Sequence, residues 1–135
     1  MTNEMRPAPR VTPEYAAFWQ GAAQGRLLIG GCSDCGQTHL PPQLVCPHCW
    51  SSKVDHRPAS GNGTVNSYTV IHQSVVPWYK DRTPYVVAYV ELEEGLSFVT
   101  NIVGSTWQDV RIGASVEVVF DKVGEDIAAP VFRLA

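Results

Sequence analysis

Four cysteines are the residues of this sequence whose types and spacing are best suited to chemistry. Cys32 and Cys35 are separated by two residues, as are Cys46 and Cys49, and ten residues lie between the two pairs. A two-residue gap lets both thiolates of a pair reach one ion, while nearby backbone N–H groups can hydrogen-bond to the sulfurs. Four thiolates complete a tetrahedron and leave no position open for water. The spacing therefore predicts one zinc ion with a structural role.

Three alternatives concern the same region. A thioredoxin-type redox couple is disfavoured, because there are two Cys-x-x-Cys pairs and no surrounding βαβ pattern. Iron stays open as the metal, because tetrahedral sulfur sites accept iron as well as zinc. His39 and His48 lie beside the thiols and could replace a ligand. With four cysteines already in place, a solvent-facing or locally hydrogen-bonded histidine is the simpler expectation.

The remaining residues do not predict catalysis. The sequence has no Gly-x-Ser-x-Gly elbow, and no phosphate-binding glycine loop leads from a predicted strand into a helix. Scattered titratable side chains are normally surface features, and the acid or base candidates of this kind are His56, His72, Asp81 and Asp109. We therefore predict no catalytic residue and no enzymatic activity of the chain alone.

Residues 1–25 precede the cysteine region. We expect residues 1–11 to form a flexible arm and the rest of this segment to form an amphipathic helix. Thr12 and Pro13 are typical of an N-cap and a first helical residue, and Gly25 is typical of a helix end. One face of this helix is rich in aromatic residues. Its members at the i, i+3, i+4 and i+7 positions are Tyr15, Phe18, Trp19 and Ala22.

Residues 26–60 contain the cysteines and are predicted to form a zinc ribbon, whereas residues 61–135 are predicted to be all-β. The second part consists of short segments rich in Val, Ile, Tyr, Phe and Thr that are bounded by Gly, Pro or Asp. Turns are expected at Glu94-Gly95 and at Ile112-Gly113. The five predicted strands lie near residues 63–72, 85–92, 96–103, 115–122 and 130–134.

The composition, the N-terminal residues and the cysteines bear on where the protein is located in the cell. Of the 135 residues, 44% are hydrophobic and 17% are charged, and no apolar run approaches the roughly 20 residues that span a bilayer. The first ten residues do not resemble a secretory signal, and clustered thiols favour a reducing compartment. We therefore expect a cytoplasmic protein with no membrane partner.

Several short motifs follow one another along most of the chain. They are, in order, the aromatic helix, CSDCG (32–36), LPP (40–42), CPHC (46–49), GNGTV (61–65), TPYVVA (83–88), LEEG (92–95), IG (112–113) and VEV (116–118). In this order they resemble a family of small bacterial and archaeal proteins that join a rubredoxin-like zinc ribbon to an acyl-CoA-associated OB-fold domain. Trp50 stands where this family more usually has a small residue.

The resemblance implies a mainly β fold, with an N-terminal helix, a rubredoxin-like zinc ribbon and a five-stranded OB barrel. It also implies an accessory role beside thiolase-superfamily enzymes, including lipid-transfer-protein-like aldolases, or beside hydratases that act on acyl-CoA thioesters. Steroid side-chain degradation is one pathway associated with this group. We therefore expect a non-catalytic subunit of an acyl-CoA-processing complex.

An oligonucleotide-binding module is the alternative function, because zinc ribbons and OB barrels both serve that purpose elsewhere. Binding a single strand requires clustered Lys and Arg along a groove. Residues 61–135 instead carry five Lys or Arg against nine Asp or Glu, a formal charge of -4. We therefore expect no nucleic-acid partner.

Two aromatic segments are candidates for a partner or ligand surface. The helix stripe can pack within the chain, as amphipathic faces ordinarily do, or it can contact a partner enzyme. The second segment is the predicted loop between the first two strands of the barrel, where aromatic and basic residues alternate in a way that suits an interface or an acyl-CoA phosphate. The candidate interface residues are Tyr15, Phe18, Trp19, Trp78, Tyr79, Lys80 and Arg82.

Overall fold

A computed structural model describes residues 6–124 and 126–135, so part of the predicted arm, residues 1–5, lies outside the described residues. The described chain forms a short helix, a small sheet and a barrel, which confirms the predicted mainly β fold. The elements are α1 (Ala16–Ala23), β1 (Leu28–Cys32), β2 (Thr38–His39), β3 (Val54–Pro58), β4 (Asn62–Ile71), α2 (Pro77–Lys80), β5 (Tyr85–Leu92), β6 (Ser97–Val103), a 3-10 turn (Trp107–Asp109), β7 (Ser115–Lys122) and β8 (Ala128–Leu134).

Helix α1 starts later than the sequence predicts. The backbone N–H of Tyr15 donates to the carbonyl of Thr12, so Thr12 opens a separate turn and makes no side-chain cap. The end of the helix follows the prediction, because Gly25 has a φ of 78°. The N–H of Arg26 donates to the carbonyl of Gly21 at 2.8 Å, and that of Gly25 to Ala22 at 3.0 Å. These two bonds form a Schellman motif.

The ribbon sheet has the order β2-β1-β3, with both neighbours antiparallel to the central strand. Strand β1 is buried along its whole length. Two of its glycines make this possible, because a Cβ at Gly30 would overlap the imidazole of His39 and a Cβ at Gly31 would overlap the guanidinium of Arg57. The glycines thus let larger side chains from β2 and β3 lie directly against the central strand.

The predicted five-stranded OB barrel is confirmed. It is closed, and its strand order is β4-β5-β6-β8-β7. Its strands agree with the predicted ranges to within two residues. Strands β6 and β8 are parallel and pair only at Ile102 with Phe132 and at Val103 with Arg133. The residues of β6 and β8 that precede these pairs do not pair with each other. The predicted turns at Gly95 and Gly113 are present, and both glycines adopt positive φ, at 84° and 88°.

One apolar core joins the three parts of the chain. Phe18 from α1 and Leu27 and Ile29 from the start of the ribbon are buried in the same cluster as the barrel side chains. The helix therefore packs on the barrel as well as on the ribbon. The fully buried apolar side chains at the centre of the barrel are Val65, Val90, Val110, Val116 and Phe132.

Within the described residues, neither helix has the length and apolar character required to cross a membrane.

Candidate metal centre and aromatic surface

The four cysteine sulfurs converge on one point. All four Sγ atoms lie within 4.8 Å of one another, although Cys32 and Cys46 are buried and Cys35 and Cys49 are exposed. The Cys32–Cys49 and Cys35–Cys46 sulfur pairs are 3.6 and 3.7 Å apart. A tetrahedron with metal–sulfur bonds of about 2.3 Å has edges of about 3.8 Å. The spacing therefore fits a metal ion bound by four sulfurs.

Two similar turns hold these sulfurs. The N–H of Gly36 donates to the carbonyl of Cys32, and the N–H of Trp50 donates to the carbonyl of Cys46, both at 2.9 Å. Gly36 and Trp50 also share a positive φ, at 74° and 67°. In the second turn, the N–H of His48 donates to the Cys46 sulfur at 3.4 Å. Each Cys-x-x-Cys pair therefore sits in a metal-binding knuckle of the same backbone shape.

Proton affinities differ sharply among the thiols. Hydrogen bonds from the backbone N–H groups of Cys35 and Asp34 lower the pKa of Cys32 to about 7 despite its burial. The Ser51 N–H lowers the pKa of Cys49, but burial and the three neighbouring thiols outweigh it and raise that pKa to about 12. Four crowded sulfurs resist simultaneous ionisation unless a cation lies among them. The donor set thus favours occupancy by a metal ion.

Neither nearby histidine belongs to this cluster, which consists of four cysteines among the described residues. The Nε2 atom of His48 lies 3.2 Å from the carbonyl oxygen of Thr38. His39 is only 4% exposed, and its Nε2 accepts the N–H of Gln43 at 3.3 Å. Burial, followed by the nearby His48 and His56, lowers the pKa of His39. Each imidazole therefore has a local hydrogen-bond partner at Nε2, and neither ring joins the sulfur cluster.

The aromatic stripe of α1 divides between core and surface. Phe18 is 5% exposed, with its ring centroid 6.1 Å from that of Phe98 in β6. Trp19 packs edge-on against Phe18 at 5.2 Å and stays half-buried, whereas Tyr15 is 38% exposed. Phe18 is thus committed to internal packing, which leaves Tyr15 and Trp19 as the accessible members of the stripe.

The second aromatic segment is partly helical, since α2 forms within the predicted loop between β4 and β5. The Arg82 guanidinium lies 3.7 Å from the ring centroid of Trp78 and donates to the Trp78 carbonyl. Arg6 lies 5.4 Å from the same ring and forms an ion pair with Asp121. Lys80 is exposed at the end of α2. No local pattern predicts the pairing of Arg6 with Asp121, because the two residues are 115 positions apart.

Two cavities connect these segments. One, of about 230 Å³, is lined by Trp78, Tyr79 and Arg82, and another, of about 400 Å³, is lined by Tyr15, Phe18 and Trp19. The residues that line both are Arg6, Asn101 and Val131. The two predicted surfaces are therefore contiguous along the part of the barrel where β6 and β8 diverge. We call this region the groove surface.

The acid and base candidates are not assembled into a site. His72 packs against Trp107 with centroids 5.6 Å apart, and Asp109 accepts a hydrogen bond from the Thr106 hydroxyl at 3.1 Å. His56 lies on β3 and Asp81 is exposed after α2. Within residues 6–124 and 126–135, no hydrogen bond joins any two of these four candidates.

Comparison with known proteins gives two family-model matches. Residues 19–55 match the rubredoxin-like zinc ribbon domain of ChsH2, and residues 56–121 match its C-terminal OB-fold domain. A scaffold protein of Methanothermobacter thermautotrophicus with a DUF35 domain is 39% identical over 84% of this chain and 86% of its own. A probable enoyl-CoA hydratase alpha subunit of Thermomonospora curvata is 39% identical over 97% of this chain, which spans only 40% of that relative.

One further relative and one solved structure are similar to this chain. The benzoylsuccinyl-CoA thiolase subunit BbsA of Thauera aromatica is 28% identical over 72% of this chain and 67% of its own length. A solved structure described as the Ltp2-ChsH2(DUF35) aldolase has a TM-score of 0.83 and 38% identity, over 94% of this chain and 98% of that chain. The chain therefore belongs to the DUF35 family of ChsH2-type zinc-ribbon and OB-fold proteins.

Proposed function

We propose that this chain is a non-catalytic accessory subunit that binds a thiolase-superfamily or aldolase-type catalytic subunit and assists its use of an acyl-CoA substrate. The proposal is carried by the likeness to a chain of the Ltp2-ChsH2(DUF35) aldolase, which extends over nearly all of both chains. Relatives named as a DUF35 scaffold, a CoA-thiolase subunit and a CoA-hydratase subunit support the same class of role. The acid and base candidates, which remain apart, agree with a partner that supplies the catalytic groups.

The groove surface is the proposed contact with the catalytic subunit. Trp19 and Trp78 are half-buried aromatic side chains beside cavities, which suits anchors that fill pockets on a partner. Val75, two residues before α2, is also apolar and 87% exposed. Interface hot spots favour Trp, Tyr and Arg, and residues of all three types line this surface.

Arg82 and Lys80 are the proposed contacts to acyl-CoA at the shared interface. Arg82 has no carboxylate partner among the described residues, and its guanidinium is held in place by the Trp78 ring and carbonyl. An oriented guanidinium forms paired hydrogen bonds with a phosphate, whereas an ammonium contributes mainly a point charge. The CoA phosphates would therefore lie near α2.

Zinc is the proposed ion of the ribbon, bound by Cys32, Cys35, Cys46 and Cys49 with a structural role. The sulfur spacing fits a tetrahedral ion, and four thiolates leave no coordination position for a substrate. Elemental analysis of purified protein should give one zinc per chain. Iron in place of zinc would change the identity of the metal but leave its four ligands unchanged.

Nucleic-acid binding is not favoured by the arrangement of the basic side chains. Arg133 forms a 2.7 Å ion pair with Glu117, and Arg111 donates to the carbonyl of Val110 at 2.9 Å. Cations engaged and dispersed in this way do not extend the basic side chains of the groove surface into a continuous track for a polynucleotide. Titration with labelled single-stranded DNA and RNA at physiological salt should show no submicromolar binding.

The proposed contact can be tested with tryptophan variants. The tagged chain should first be purified from its native host, and the co-purifying catalytic subunit identified and isolated. Trp19→Ala and Trp78→Ala should each weaken binding of that purified subunit by about 2 kcal/mol, or roughly thirtyfold, because each removes an anchor. Zinc content should not change. Titration calorimetry and thermal unfolding on the same variants measure both quantities.

Phe132→Ala is the matched aromatic control, because Phe132 lies in the barrel core and lines neither cavity of the groove surface. It should lower stability by about 3–5 kcal/mol while the folded fraction keeps its affinity. If both tryptophan variants lose stability and retain affinity, the groove surface is not the contact. If no thiolase-like, aldolase-type or hydratase subunit co-purifies with the wild-type chain, the accessory function itself is wrong.

A further inference from the structure

Trp50 combines two unfavourable features. Its φ of 67° is the only positive value at a non-glycine residue in the described part of the chain. Its side chain is also 82% exposed, so the indole gains little from packing within the chain. A bulky residue rarely adopts positive φ, and backbone strain of this kind tends to occur at functional positions.

The first knuckle shows what this backbone position requires. Gly36 follows Cys32 by four residues, as Trp50 follows Cys46, and both make the same 2.9 Å backbone hydrogen bond. Gly36 meets the positive φ without a side chain, and no heavy atom would contact a Cβ placed there. Metal binding by the second knuckle therefore does not require an indole. The structure of the knuckle therefore does not explain why this position carries an aromatic side chain.

Trp50 is one of three exposed apolar side chains that flank the second knuckle along the chain. Leu44 is 53% exposed and Val45 41% exposed, and both directly precede the second knuckle. None of these three residues lines either cavity of the groove surface. We call Leu44, Val45 and Trp50 the knuckle patch.

Charge around the knuckle patch limits what can cover it. Four thiolates and a divalent ion carry a formal charge of about -2. The ammonium of Lys53 lies 3.7 Å from Asp34, which also accepts a hydrogen bond from the Ser51 hydroxyl. The nearby cation is thus already paired with a carboxylate. A nucleic acid or another polyanion is disfavoured here, whereas an apolar pocket with basic residues at its rim is complementary.

A second copy of this chain also fits poorly. The patch exposes on the order of 300 Å² of apolar surface, whereas a stable interface buries about 800 Å² on each partner. Two copies would in addition bring two negative knuckles together. We propose that Trp50 inserts into an apolar, basic-rimmed pocket of the catalytic subunit, as a second contact separate from the groove surface. This inference rests on the proposed accessory function.

The test uses the full-length chain with its metal and the purified catalytic subunit that co-purifies with it. Trp50→Gly and Trp50→Asn remove the indole and suit positive φ. Each should weaken binding by at least about thirtyfold. The melting temperature of Trp50→Gly should rise by about 2–4 °C, because strain is relieved. Metal content should stay at one ion per chain.

Ile112→Ser is the control for loss of an exposed apolar side chain, because Ile112 is 70% exposed at a barrel turn. It should leave affinity unchanged. If Trp50→Gly binds the subunit as tightly as wild type does, the inference fails while the accessory function stands. If the wild-type chain binds no such subunit, both fail together. A wild-type homodimer that Trp50→Gly converts to monomers would assign the patch to a second copy and overturn the inference.

Discussion

The ribbon and the barrel of this chain are built on different sources of stability. The barrel has five strands around fully buried side chains such as Val65, Val90 and Phe132. The ribbon has three short strands, one of them only two residues long, and its knuckles are largely exposed. So small a unit buries too little apolar surface to fold by itself and depends on its metal cross-link. The barrel does not require such a cross-link.

Removal of the metal should give the largest difference between the two regions. Cys32→Ser or Cys49→Ser should lose both the ion and the folded ribbon, because structural zinc contributes about 10–16 kcal/mol of apparent binding free energy. In hydrogen exchange, the amides of β1 should lose protection before those of β5. A strong chelator should have the same effect on the wild-type chain.

Cysteine variants that lose the metal but melt like the wild type would show that the ribbon does not depend on its ion. The proposed difference between the ribbon and the barrel would then be wrong, since Leu27 and Ile29 would be sufficient to hold the ribbon against the barrel core. Variants that retain the metal would show that the substituted cysteine is not an essential ligand.

Truncation of the barrel core should give the second-largest effect. Phe132 is fully buried, and its ring lies 6.2 Å from that of Phe98. Phe132→Ala should lower the free energy of unfolding by about 3–5 kcal/mol through lost burial and a residual cavity. Urea unfolding measures this change. The folded fraction should still carry one metal ion, and a proportional loss of metal would show that the barrel determines the knuckle geometry.

The parts of the fold that have local signals could be predicted from the sequence. Cysteine spacing predicted the four-sulfur cluster, and strand composition with turns at Gly95 and Gly113 predicted the barrel strands. The start of α1 was missed because Thr12 opens a turn instead of capping the helix. Helix α2 was missed because it contains only four residues.

The relation between distant segments could not be predicted. Phe18 is buried because β6 places Phe98 beside it, and the sequence alone does not give that pairing. The groove surface is continuous because the chain brings Arg6 to Trp78 and Asp121. Such contacts depend on strand order and on where β6 and β8 diverge, and each residue by itself is an ordinary surface side chain.

The smallest effect is expected from substitutions at the equivalent positions of the two knuckles, Gly36 and Trp50. Gly36→Ala adds a methyl group at a φ of 74° where no heavy atom lies within 4 Å, so its cost should be backbone strain alone, about 1 kcal/mol. The four sulfurs should keep their ion, as elemental analysis can show. Trp50→Gly makes the reverse change in the other knuckle and should alter the free energy of unfolding by a similar amount in the opposite direction. If Gly36→Ala instead costs several kcal/mol or releases the metal, the knuckles are not equivalent, and the backbone strain assigned to Trp50 loses its basis.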